Sequence, residues 1–425
     1  MSTTSQKTEI EQRRVSLWRH GNFLRLWSSE TVSSFGAQFS ELAIPFTAVL
    51  VLQGTAAELG ILNAAITAPF LTFSLLVGVW VDRHRRRSVL IISNVGRAIL
   101  LATIPVAAIR HLLTISFLIA TAFLLGTLRV FFDIAYQSYL PALVDRDQLV
   151  DANSRLEASR AVSSVAGPSV AGFVIQIITA PLAIAVDAIS FVFSTSFIGT
   201  IKHEETIEKG VERPSVGSDI GEGLKVVLHD ARLRAAAGAS GTANFFEFAI
   251  MAIFVLYAVN ILGLGPELLG IILGVGALGA VAGALVAGKL ANKIGIGPTI
   301  IAALTLGVTT WGPLIYLANR QTAIPFLIAG WFFGEVAFVA WSINQSSFRQ
   351  AICPARLQGR VNATLRFLAA GMVPLGSIFG GLLGEALGLR LAIGVATIGL
   401  LIAPLWVLFS PIRKLKQVTE ADVLA

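Results

Sequence analysis

Long apolar stretches alternate with short polar ones along the chain. The apolar runs fall near 30–52, 58–81, 88–109, 112–138, 157–179 and 182–201, and again near 234–260, 267–291, 298–318, 322–347, 363–386 and 390–410. A helix crosses the roughly 30 Å hydrocarbon layer in about 20 residues, so each run is a candidate span. The pattern predicts an all-α membrane protein of 12 transmembrane helices in two pseudo-symmetric six-helix bundles. The expected units are a cytoplasmic tail with an interfacial helix (1–29), the first bundle (30–201), a cytoplasmic linker with a surface helix (202–232), the second bundle (233–410) and a cytoplasmic tail (411–425). Ser16 to Trp27 mixes aromatic and basic residues and is expected in the headgroup layer. Nothing ahead of it has the form of a signal peptide. In the linker, His203 to Gly217 reads as flexible. From Ser218 onward, Ile220, Leu224, Val227 and Leu228 share one helical face, with Ser218 or Asp219 as N-cap.

Composition and charge narrow the class. The 425 residues are 55% hydrophobic and 13% charged, against about 25% charged in soluble domains. The net charge of +7 sits in short loops beside the spans, which fits the positive-inside rule and a lipid bilayer rather than nucleic acid. With both termini cytoplasmic at the cell inner (plasma) membrane, only Arg110, Arg320 and Arg390 fall on the other side, and Arg97 and Arg129 fall within spans. The single cysteine, Cys353, excludes an internal disulfide framework. His20, His84, His111, His203 and His229 lie in loops or at span ends, so no metal site is expected. No nucleotide-binding motif or nucleophile–base set is present, so neither a cofactor nor an enzymatic activity is expected.

Two features stand out from the apolar background. Gly78, Asp82, Arg83, Arg85, Arg86 and Arg87 form a cationic knot after the second span, and Gly288, Asn292 and Lys293 echo it 210 residues later. The echo extends further: Asn153, Gly167 and Gly172 match Asn362, Gly376 and Gly381 at a shift of 209. Repeats of this kind are one plan for transporters made of two parallel halves.

On these residues the chain resembles the major facilitator superfamily over about residues 20–410. The loop after the second span is similar to the family pattern G-x-x-x-D-R-x-G-x-R-R, with Arg85 where glycine is usual. The fifth span carries Ala166-Gly167-Pro168-Ser169-Val170-Ala171-Gly172, which is similar to the antiporter motif. Leu140 to Val144, Leu149, Ala152 and Asn153 resemble the macrolide-efflux and enterobactin-exporter group. The resemblance implies a conformational latch: Asp82 meeting amides near Asn362 to Thr364, Asn292 playing the neutral counterpart near Asn153, and Asp133 pairing with a loop arginine. The simpler reading of the arginines is topology alone. Gly167, Pro168 and Gly172 read as a close-packed seal between the fifth and eighth spans, or as ordinary helix packing.

Ionisable groups inside spans are costly in lipid and mark function. Glu41 lies three residues after Gln38 on the first span, Glu247 near Asn244 on the seventh, and Glu335 on the tenth. Arg129 and Asp133 are one turn apart on the fourth. The family implies that these four spans line one cavity, so the five charged groups are expected to converge there. Glu41 and Glu247 are the expected proton or cationic-substrate sites, with Arg129 as counter-charge and Glu335 in support. The alternative for each is a structural ion pair, which is also the reading for Arg97 and Asp187. The expected function is proton-coupled efflux of hydrophobic or amphiphilic small molecules by a monomer. The alternatives are a lipid flippase or nutrient importer of the same fold and, remotely, a membrane-embedded enzyme or a sensor.

Overall fold

The computed structural model describes residues 17–81, 83–202, 205 and 216–415. Among these residues, twelve helices are long and apolar enough to cross a membrane. The first half contains α1 (Gly21–Phe46, prolonged by a π-helical turn, Thr47–Val51), α2 (Ala56–Val81), α3 (Arg86–Ile109), α4 (Ile115–Leu143), α5 (Leu149–Ile178) and α6 (Ala180–Gly199). The linker helix α7 (Val216–His229) leads into α8 (Ala231–Asn260), α9 (Pro266–Ile294), α10 (Ile296–Leu317), α11 (Ala323–Ile352) and α12 (Ala355–Leu387). The last span is divided into α13 (Leu389–Leu400) and α14 (Ala403–Leu408). Pro404 in the first turn of α14 cannot donate to the preceding helix, which accounts for the break. An even number of crossings puts both ends of the described chain on one side, here called the terminal face. The other side is the distal face.

Several helices begin well before their apolar runs. α1 starts at Gly21, capped by His20, whose Nδ1 accepts from the Phe23 amide at 3.1 Å. Phe23 and Leu26 are fully buried, so the stretch expected in the headgroup layer forms the first turns of the first span. α5 starts at Leu149 and α12 at Ala355, each about two turns ahead of the apolar run. Polar first turns such as Asp151–Arg155, bridged at 3.0 Å, hide this extension from a hydropathy reading. α7 starts at Val216, which places Ser218 and Asp219 inside its first turn rather than at the N-cap. Its Val227 is buried, and Leu224 and Leu228 are exposed.

The halves meet along two seams, α5 against α9 and α2 against α12. Lipid offers no hydrophobic force between helices, so such contacts rely on small residues that let backbones approach. A side chain at Gly172 would collide with the Pro266 carbonyl and Gly270, and one at Gly381 with the Ala56 carbonyl and Gly60. Gly60 and Gly270 stand 210 residues apart, as the repeat requires. Each seam adds a hydrogen bond: the Ser169 hydroxyl donates to the Gly270 carbonyl at 3.3 Å, and the Ser377 hydroxyl to Asn63 Oδ1 at 3.0 Å. Both glycine pairs lie near the distal ends of their helices.

Candidate functional site

The ionisable residues gather in two cavities rather than one. The first, about 200 Å³, lies within the second half and is lined by α8, α10 and α11, with Leu400 of α13. Glu247 and Glu335 face it, with Trp311, Trp331 and Trp341 in its wall. Trp331 stands between Phe254 and Trp311, at 4.7 and 5.6 Å between ring centres. Neither carboxylate has an ion-pair or hydrogen-bond partner among the described residues. Asn244 lines the same cavity, and its Nδ2 donates to the Ala369 carbonyl at 2.8 Å, tying α8 to α12.

The second cavity, about 550 Å³, is lined by the first half and by one residue of the other half, Arg366 on α12. Four guanidinium groups line it, those of Arg97, Arg129, Arg160 and Arg366, against two carboxylates, Glu30 and Asp133. Arg160 bridges the buried Glu30 at 3.3 Å and Glu157 at 2.7 Å. Arg129 and Asp133 meet at 3.9 Å with both side chains largely exposed. Arg97 lies 4.3 Å from the ring centres of both Phe132 and Phe191, and donates to Asn94 Oδ1 at 2.5 Å. Arg366 rests over Phe70 at 5.4 Å.

The five charged groups expected to converge are therefore divided. Glu247 and Glu335 share the aromatic cavity, whereas Arg129 and Asp133 share the arginine-lined one. Glu41 lines neither: it is exposed and accepts from Gln38 Nε2 at 3.3 Å. Glu30 and Glu41 are three helical turns apart, on one face of α1 but about 16 Å apart along it. That spacing puts Glu30 in the cavity and Glu41 beyond it. Arg97 and Asp187, read as structural pairings, each have local partners: Arg97 has Asn94 and the two rings, and Asp187 is buried and accepts from the Ser190 hydroxyl at 3.1 Å.

Glu30, Arg160 and Arg366 were not among the expected site residues. All three lie at or just inside the edges of the expected spans, where charge reads as topology. The longer helices put them two to three turns inside. The readable signal was the helical spacing that continues ahead of the apolar runs, with Asp151–Arg155 and Glu157–Arg160 pairs in register.

The remaining residues sit as follows. Gly167 packs against Gln38 of α1, not against α9, so only Pro168 and Gly172 of that trio contribute to the α5–α9 seam. Its repeat partner Gly376 packs against the equivalent helix, α8, but on backbone, at the Phe245 carbonyl, where Gly167 meets the Gln38 side chain. Asp82 lies outside the described residues. Its expected target, Asn362 to Thr364, lies about two turns inside α12, where the amides are already used by the helix. Gly78 and Gly288 face open space. Arg83, Asn292 and Lys293 are exposed. The Arg86 and Arg87 amides donate to the Glu205 carboxylate at 2.6 and 2.8 Å, and the Arg87 guanidinium donates to the carbonyls of Ile198 and Gly199. Asp133 pairs with Arg129, not with a loop arginine.

Comparison with known proteins completes the description. The family described as transmembrane secretion effector matches residues 14–423. The multidrug efflux pump Tap of Mycolicibacterium fortuitum is 27% identical, over 92% of this chain and 96% of that protein. Macrolide efflux protein A of Streptococcus pyogenes is 21% identical, over 87% and 90%. Among solved structures, the nucleoside transporter NupG aligns with a TM-score of 0.74 at 12% identity, covering 91% of this chain and 98% of that one. A bacterial homologue of the lysosomal transporter Spinster, in an inward-facing and occupied conformation, aligns at 0.73 and 12%, covering 96% and 99%. At these identities the structural likeness is one of fold.

Proposed function

The chain belongs to the transmembrane secretion effector family of major facilitator transporters, and from that premise we propose that it exports hydrophobic or amphiphilic small molecules in exchange for protons, by alternating access. The observation that carries the reading is the pair of carboxylates, Glu247 and Glu335, set without partners in an aromatic cavity. A carboxylate in such a place is costly when ionised, so a proton is the simplest species to neutralise it. Proton binding and release there alter the charge inside the second half during each cycle. Glu41, with Gln38 beside it, is a further proton or substrate contact on the path between the halves.

The seams support the conformational part of the proposal. Close packing near the distal face leaves the terminal face free to open, and the termini are taken as cytoplasmic from the loop cations. The α2–α3 junction, with Gly78, Asp82, Arg83, Arg86 and Arg87, and its counterpart at the end of α9, with Gly288, Asn292 and Lys293, act as latches when the terminal face closes. Asp82→Ala then favours the arrangement open at the terminal face without preventing folding. Labelling of single-cysteine reporters on both faces measures this.

The coupling is tested in proteoliposomes under an imposed pH gradient, with a panel of amphiphilic dyes of either charge. Gradient-driven transport is expected for the unaltered chain, with loss of the gradient dependence in Glu247→Gln. Transport indifferent to the gradient contradicts proton coupling, and an unimpaired Glu247→Gln contradicts the site.

A further inference from the structure

The arginine-lined cavity has no role in the proton chemistry just proposed, and its charge is the reverse of that of the aromatic cavity. Four guanidiniums against two carboxylates leave an excess of positive charge facing a space of about 550 Å³. Arg160 and Arg129 have carboxylate partners. Arg97 and Arg366 are held by aromatic rings, and no carboxylate bridges either among the described residues. Buried polar groups are normally satisfied. Here Arg97 Nε, the Tyr136 hydroxyl and Glu30 Oε1 are buried in the wall without a hydrogen-bond partner. Tyr136, only 8% exposed, adds a donor to a wall that Phe132 and Phe191 make apolar.

We propose that this cavity is the substrate site and that it takes an amphiphile with an oxyanion head, a carboxylate or phosphate, on an apolar or aromatic body. A planar guanidinium suits such a head because it offers paired donors to two oxygens. Arg129 and Arg366, both exposed to the cavity, grip the head; the rings of Phe132 and Phe191 receive the body. Arg366 comes from the second half whereas the other lining residues named here come from the first. A bound oxyanion therefore joins the halves and links occupancy to their relative position. This proposal rests on the transport reading given above and adds the charge class of the substrate to it.

The test uses three probes with one apolar body: 1-naphthyl phosphate, 1-naphthol and 1-naphthylmethylammonium. Binding to the purified full-length chain is measured by calorimetry, for the unaltered protein, Arg366→Gln, Arg129→Gln and Glu267→Gln. The phosphate is expected to bind at least about tenfold more tightly than the naphthol, equivalent to about 1.4 kcal/mol. That preference is expected to disappear in both arginine variants and to persist in Glu267→Gln, a carboxylate exposed at the distal end of α9. Equal or tighter binding of the ammonium probe overturns the proposal. So does a phosphate preference that survives both arginine substitutions. Failures of the two readings are distinguishable in proteoliposomes. Phosphate binding without gradient-driven movement contradicts transport but leaves the site. Gradient-driven movement of the ammonium probe alone contradicts the site but leaves transport.

Discussion

The two halves share a scaffold and differ in their chemistry. Gly172 and Gly381 close equivalent seams, and Gly167 and Gly376 seat equivalent helix pairs. Yet the first half lines its cavity with arginines that are bridged or stacked, and the second isolates two carboxylates among tryptophans. Backbone contacts constrain both copies alike, because any side chain at a seam glycine collides with a carbonyl. Cavity walls carry no such constraint, so their charge was free to diverge. The comparison teaches that packing keeps the symmetry and chemistry departs from it.

The seams give the largest expected effect. Gly172→Leu and Gly381→Leu each overpack the distal contact by about 1–3 kcal/mol, shifting the population of the two arrangements roughly 5- to 150-fold. Single-molecule energy transfer between dyes on the two halves measures the shift. Equal effects support equivalent seams, and an effect confined to one breaks the symmetry.

The cavities respond to neutralisation in opposite directions. Arg160→Gln leaves the buried Glu30 without its cation, and removing one partner of a buried charged pair costs about 1–3 kcal/mol or more. Glu247→Gln breaks no bridge, so thermal unfolding is expected to be unchanged or to move to higher temperature. Destabilisation by both would show that the second half also relies on its charge.

A smaller difference lies in the turns. Thr179 and Gly388, 209 residues apart, occupy the same unusual backbone region, at φ 82° and 84° with ψ 154° and 155°. Only glycine adopts that region readily, and other residues pay about 1–3 kcal/mol there. Gly388→Thr is expected to lower the unfolding temperature, and Thr179→Gly to leave it unchanged or raise it.

Asp230 gives the smallest effect. It caps α8 by accepting from the Arg232 and Leu233 amides at 2.9 and 3.0 Å. Burial alone would raise its pKa, but the Arg232 guanidinium and the two amides hold the carboxyl below its ordinary value. A depressed pKa contributes stability above the ordinary carboxylate range, and that stability is lost as pH falls through the lower, folded value. Asp230→Ala is expected to cost about 1 kcal/mol near neutrality, with a smaller difference from the unaltered chain in acid.

The legible parts of the sequence were those that lipid and packing dictate. Twelve apolar runs marked the spans, and the 209–210 spacing of Gly78, Gly167, Gly172 and their partners marked the doubled plan. Glu247 and Glu335 were readable because a carboxylate in mid-span has no topological excuse. Glu30, Arg160 and Arg366 were not, because hydropathy reports where a helix is apolar and is silent about where it starts. The division into two cavities depended on depth along the helices and not on helical phase alone, which Glu41 illustrates: it is in phase with Glu30 but about 16 Å away along α1.

The central claim is that two equivalent halves rock about their distal seams. Pulsed electron–electron resonance tests it most directly, on a Cys353→Ser background with one label pair per face. The terminal-face pair is Val150→Cys with Gln350→Cys, and the distal-face pair is His111→Cys with Arg320→Cys. The account predicts opposite changes when pH or substrate is altered, the terminal distance shortening as the distal one lengthens. Distances that stay fixed on both faces, or that change together in the same direction, would contradict it.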